Sequence, residues 1–188
     1  MGVKYDACHG RPYSPRVSFS MAARMYGRYW GREDFFPILD ELDFLEGRKQ
    51  HTRTKAEEKF RKPPLDLFFH KHFFSAHHLP RNIGVRWGID DGRSGNRALD
   101  SMIERVASEC GDDPDEWQAR LAHEFVMEAF NQRAQQQRLT GDWIIFSKYN
   151  GENYYLAVVD HGVRGRDDDQ DLYDWLRMSC EWEYPFLF

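Results

Sequence analysis

Apolar positions recur at helical spacing along most of the chain and at strand spacing near residue 150. Val17, Met21, Met25 and Tyr29 repeat every four residues behind Ser14-Pro15, a serine cap with proline in first position, which predicts a helix over 15–30. Phe35, Ile38, Leu39, Leu42 and Leu45 form a second stripe behind Asp34, with Gly47 as terminator. Leu99, Met102, Ile103, Val106 and Cys110 follow Asn96 as cap and stop at Gly111. Asp113-Pro114-Asp115-Glu116 sets a cap, a proline and two acids at the positive end of a helix dipole. That helix is predicted to run to Leu139, burying Trp117, Leu121, Phe125 and Ala129. A last helix starts at Asp168 or Asp169 and carries Leu172, Trp175, Leu176 and Ser179.

Around Asn150-Gly151 the period changes to two. Residues 142–149 and 152–160 are apolar and aromatic, and Asn-Gly between such runs predicts a hairpin with a two-residue type I′ turn. The matching register puts Trp143, Ile145, Leu156 and Val158 on one face, with Ile144, Phe146, Tyr155 and Ala157 on the other.

The stretch 63–82 holds four of the eight histidines and four of the fourteen phenylalanines. At helical spacing Leu65, Phe68, Phe69, His72, Ala76 and Leu79 share a face, which predicts a buried central helix between Pro64 and Pro80. Ile83, Val85 and Trp87 then alternate as a short strand would. The expected fold is α+β: one mostly helical domain over 1–188, about six helices around the hairpin of 142–160, with a third short strand as an option. Residues 1–13 read as an irregular arm. Leu39, Leu42, Phe68, Phe69, Phe125, Ile145 and Leu156 are expected in the core, with Phe186 and Phe188 packed back onto it.

Composition adds limits. A 41% hydrophobic and 15% aromatic chain can build a core and is not a disordered one. No run approaches the ~18 apolar residues that a membrane span needs, and the first residues lack the apolar segment of a signal peptide. Three cysteines without a CxxC suit reduced thiols and a cytoplasmic location. Residues 1–97 carry 18 Lys+Arg against 12 Asp+Glu (net +6), and residues 98–188 carry 8 against 19 (net −11). The two halves can neutralise each other, or the first can face a polyanion. Arg24, Arg28 and Arg32 make a basic row on a predicted helix, read first as a solvated face and otherwise as a phosphate-binding edge. The densest basic run spans 48–62, where Thr54 and Glu57 resemble a helix capping box. Arg48, Lys49, Arg53, Lys55, Lys59, Arg61 and Lys62 are its candidates for contact with a nucleic-acid backbone.

Phosphate-loop, dinucleotide and nucleophile-elbow signatures are absent, and Met127 stands where His123-Glu124 would need a second histidine to bind zinc. What remains is a dispersed set: His77, His78 and Arg81 after the central helix, His123 and Glu124 on the long helix, and Lys148 on the hairpin. Histidine, carboxylate and cation together can cleave RNA without metal, by moving protons and holding the phosphate. The leading expectation is therefore an RNA-directed protein of the toxin-like endoribonuclease kind, needing no cofactor. Two others stay open: a non-enzymatic inhibitor or adaptor that binds a protein, and a metal-dependent hydrolase using His77, His123, Asp160 and His161.

Overall fold

The computed structural model describes residues 2–31, 34–75, 78–89, 96–110, 114–139, 141–159 and 169–188. Asn150 and Gly151 both take positive φ, 50° and 80°, and join β3 (Asp142–Tyr149) to β4 (Glu152–Val159) as the Asn-Gly pair demands. Tyr149 lies opposite Glu152 and Phe146 opposite Tyr155, but the next pair is Ile145 with Ala157. Leu156 is thus an extra residue in β4, a bulge that shifts the register by one. Beyond it Val158 faces the same way as Ile144, Phe146 and Tyr155. Leu156, Ala157 and Val159 join Ile145 on the opposite face. The expected register is corrected there, because a shift of one residue exchanges the faces.

The expected central helix is a second correction. Phe69–Phe73 is a strand, β2, antiparallel to β3 from Phe69 opposite Phe146 to Phe73 opposite Asp142. A two-residue strand β1 (Glu58–Lys59) pairs with its other edge, giving the order β1-β2-β3-β4. Phe69-His70-Lys71-His72-Phe73 alternates, with Phe69, Lys71 and Phe73 on one face and the two histidines on the other. A stretch apolar on two sides suits a covered strand as well as a buried helix. The open edge of β3 decides between them, since its backbone groups need partners.

Both faces of the sheet are covered. On one lie α1 (Val3–Ala7), α2 (Phe19–Gly31) and α3 (Phe35–Leu45), burying Met21, Met25, Ile38 and Leu42 against Phe73, Ile144 and Tyr155. On the other, α7 (Asp169–Cys180) and the final residues bury Leu172, Leu176 and Leu187 against Phe68, Ile145 and Leu156. Phe188 meets Phe68 at 5.4 Å and Phe186 meets Tyr149 at 4.6 Å, so the chain end folds back as expected. A third cluster joins α4 (Leu79–Trp87), α5 (Arg97–Cys110) and α6 (Pro114–Gln135). There Trp87 stacks on Phe125 at 5.7 Å and its indole N–H donates to the Phe125 carbonyl at 2.8 Å. This cluster meets the sheet at the end of β2, through Phe74 on Phe130 (5.1 Å) and a bridge between Thr54 and Leu139.

The described residues hold seven α-helices and four strands in a single α+β domain. Several boundaries move. Residues 83–87 belong to α4, with Pro80 in its first turn, so they are no strand. The expected irregular arm contains α1 and is tied down: Lys4 pairs with Glu183, and Tyr13 is buried and donates to Asp43 at 3.1 Å. The cap of α2 is Ser18, whose hydroxyl accepts from the Met21 N–H at 3.0 Å; Ser14 starts only a 3-10 turn. Asn96 caps α5 as expected, accepting from Ala98 and Leu99. Of the expected core, Phe69 and Phe125 are only partly buried. No helix among the described residues is long and apolar enough to cross a membrane.

Candidate nucleic-acid interface

The alternation of β2 drives a lysine into the protein. Lys71 is fully buried beneath α3, and Glu41, 5% exposed on the apolar stripe of that helix, meets it at 3.0 Å. The ammonium also donates to Thr54 Oγ1 at 2.6 Å and to the Lys55 carbonyl, and lies 5.3 Å from the Phe44 ring centre. Glu41 accepts from the Thr52 hydroxyl at 2.6 Å and from that of Thr54 at 3.0 Å. Burial lowers the pKa of Lys71 from its ordinary 10.5, and the Glu41 carboxylate opposes that shift without cancelling it. Buried charges persist only when paired and hydrogen-bonded, and this pair is both. The hydroxyl of Thr54 also reaches the His72 carbonyl at 2.8 Å, so it is used in the network and caps no helix.

This network floors a cleft of about 400 Å³ between α3, the segment 49–54 and α6. Lys49, His51 and Arg53 line it together with Asp40 and the packed rings of Phe74 and Phe130. A second hollow continues from His51 and Arg53 along Asn131 and Gln135. Two of the seven basic candidates, Lys49 and Arg53, therefore line the cleft. Lys49 also pairs with Asp40 at 2.8 Å and Arg48 with Asp43 at 3.2 Å. Lys55, Lys59, Arg61 and Lys62 are exposed, and Lys59 and Arg61 flank Phe60 on the rim of β1.

Comparison of the chain with family models, with curated proteins and with solved structures gives no match. Geometry alone therefore has to carry the functional reading.

The candidate catalytic residues are spread out. His77 lies outside the described residues, as do Asp160 and His161. His78 is the flanking residue at the start of α4, and its Nε2 meets Asp142 Oδ1 at 2.8 Å. Arg81 is exposed in the first turn of that helix. It therefore begins a helix instead of following one, and sits at the positive end of the dipole, where helix and guanidinium both attract an anion. His123 is exposed on α6. Glu124 is held by Arg105 at 2.6 Å and Arg120 at 2.7 Å, and those guanidiniums bring its pKa down to about 2, too low for a proton acceptor near neutral pH. Lys148 pairs with Glu57 at 3.3 Å and lies over the Phe69 ring. Among the described residues no hydrogen bond or ion pair joins His78, Arg81, His123, Glu124 and Lys148 to one another. Nor does any group of three or more His, Cys, Asp or Glu converge among them as a metal site would require.

The other histidines of the stretch pack. His70 lies 4.8 Å from Phe60 and 4.7 Å from Trp143. His72 places Nδ1 2.9 Å from the Gly141 carbonyl oxygen and 3.4 Å from the Gly141 nitrogen, and its Nε2 lies 3.4 Å from the Trp143 indole nitrogen. Sequence reasoning missed Glu41, Thr52, Lys71, Phe74, Phe130 and Asp142. Two signals were available: Glu41 falls on the stripe of Ile38, Leu42 and Leu45, and Lys71 sits at the centre of an alternating aromatic run.

Proposed function

We propose that the protein acts on single-stranded RNA. The observation that supports this is the cleft, whose lining combines the cations Lys49 and Arg53 and the aromatic pair Phe74 and Phe130 with the hydroxyls of Thr52 and Thr54 and the carboxylates of Asp40 and Glu41. Phosphates need positive charge along a track, and unstacked bases need aromatic faces and polar edges. Lys55, Lys59, Arg61 and Lys62 extend the basic track away from the cleft. His78, oriented by Asp142, is the residue best placed to move a proton, with Arg81 three residues on to hold a phosphate. Asp142 is paired with Phe73 in the sheet, so this pair flanks the strand end that carries Phe74.

The test is binding of a labelled single-stranded RNA across a salt series. Affinity should fall with a slope of about −0.7 per phosphate neutralised, and the Lys49→Ala, Arg53→Ala double variant should flatten it by about 1.4. Phe74→Ala should weaken binding by about 1–3 kcal/mol per stacked base lost. Incubation of bound RNA with wild type and His78→Ala then asks about cleavage, with a loss of about 10²–10⁴ in rate expected. Absence of binding at low salt would sink the proposal. A protein-binding role is the second reading, favoured by Met178 near the end of α7 and Trp182 in the turn just beyond it, which stand 74% and 69% exposed.

A further inference from the structure

A different hollow, of about 320 Å³, shares no lining residue with the cleft. Its walls are Tyr5 of α1 and Tyr26, Tyr29 and Trp30 of α2, over the buried ring of Phe35. The rings meet at steep angles. Tyr29 stands at 66° to Phe35, Trp30 at 79° to Tyr29, and Tyr26 at 66° to Trp30, with centroids 5.1, 5.6 and 6.0 Å apart. Rings set edge to face form corners, so a guest between them meets π faces from several directions. The chain reverses at His9 and Gly10, with φ of 47° and 73°, which lays the His9 ring against Tyr29 and Phe35. Glycine suits position 10, because its φ of 73° disfavours a side chain and a Cβ there would lie 2.9 Å from the Tyr5 hydroxyl oxygen.

The charges around the hollow point one way. Among the described lining residues Asp6 is the one carboxylate, and there is no lysine or arginine. The neighbouring cations are engaged elsewhere: Lys4 with Glu183 and Tyr184, Arg11 with Asp43, and Arg28 over the ring of Phe73. Trp30 is 68% exposed, an unusual setting for the largest apolar side chain unless something covers it. Ring faces are negative, and together with one carboxylate they attract a cation and repel an anion. Beside that carboxylate the side-chain acceptors of the described lining are phenol hydroxyls and the His9 ring, too few to replace the full water shell of a strongly hydrated ion. A cation whose charge is spread over methyl groups has no such loss.

We propose that this hollow binds an alkylated ammonium group, either of a free small molecule or of a methylated lysine side chain. Calorimetric titration of the whole chain with choline should show saturable binding. 3,3-Dimethyl-1-butanol has the same shape without the charge and should bind about tenfold more weakly or not at all. Trp30→Ala, exposed enough to leave the fold intact, should abolish the choline signal, and Asp6→Asn should weaken it several-fold. A short peptide with trimethyllysine serves as the second ligand. Saturation by the peptide alone, by choline alone or by both supports the cage and tells which source carries the head group. Equal binding of the neutral isostere would reduce the hollow to an apolar crevice and overturn the proposal, as would failure of both cations to bind wild type.

Discussion

Replacing Lys71 by methionine removes the buried ammonium and keeps most of the volume of its stem. Glu41 is then left as a buried carboxylate without its counter-charge. Breaking a buried pair from one side typically costs about 3–5 kcal/mol. Glu41 keeps the Thr52 hydroxyl as a donor at 2.6 Å and shares the single proton of Thr54 with the His72 carbonyl, so the low end, about 3 kcal/mol, is expected. Glu41→Gln should cost less, about 1–2 kcal/mol, because Lys71 has an escape. Burial has already lowered its pKa, and it still has Thr54 and the Lys55 carbonyl as acceptors when it sheds its proton. The double variant buries no charge and should be more stable than the sum of the single losses implies, by about 2 kcal/mol. Urea unfolding at pH 7 reads all four proteins, with the midpoint moving and the slope unchanged. A Lys71→Met unfolding free energy within about 0.5 kcal/mol of wild type, or costs that simply add, would refute the idea that the pair is coupled in the folded state.

The same pair sets a pH dependence. The folded pKa of Lys71 lies below its unfolded value of 10.5, so between the two the unfolded chain binds more protons. Wild type should therefore gain stability as pH rises from the folded pKa towards 10.5, and Lys71→Met should lack that gain. Tyr13, Tyr155 and Tyr184 act oppositely, since burial raises each above its ordinary 10.0 and their contribution is lost as pH rises past that value. The difference between wild type and Lys71→Met removes the tyrosines from the comparison.

Three further outcomes are expected. Gly141→Ala should destabilise by about 3 kcal/mol or more, since its Cβ would fall 1.7 Å from the Phe73 carbonyl oxygen; an unchanged melting temperature would mean that β2 and β3 do not approach so closely. Deleting residues 186–188 removes the buried Leu187 and the Phe188–Phe68 contact, and should lower the melting temperature by about 10 °C in a scan. Cys8, pushed up to about 12 by burial, and Cys180, raised by the same cause, should react with a thiol reagent at pH 8 only as fast as the protein opens; fast labelling of either would contradict their burial.

The sequence by itself determined those elements whose signals lie within a few residues. The Asn150-Gly151 turn, the Asn96 cap and the stripes of α3, α5 and α7 are local matters of dihedral preference, capping and period, and each appears where the chain announces it. The mixed α+β class followed from the same signals. Tertiary structure alone decided the rest. Residues 69–73 become a strand because β3, some seventy positions away, offers an open edge, and no local pattern carries that information. The extra residue at Leu156 exchanges the faces of half a hairpin whose turn was correctly read, because alternation does not reveal a bulge. Lys71 looks like a polar residue on a buried helix until the strand aims it at Glu41. The cleft exists only because α3, the segment 49–54, Phe74 and Phe130 meet there, and their spacing along the chain says nothing of that meeting. Patterns of charge and period report on neighbours in sequence, whereas a site is made by neighbours in space.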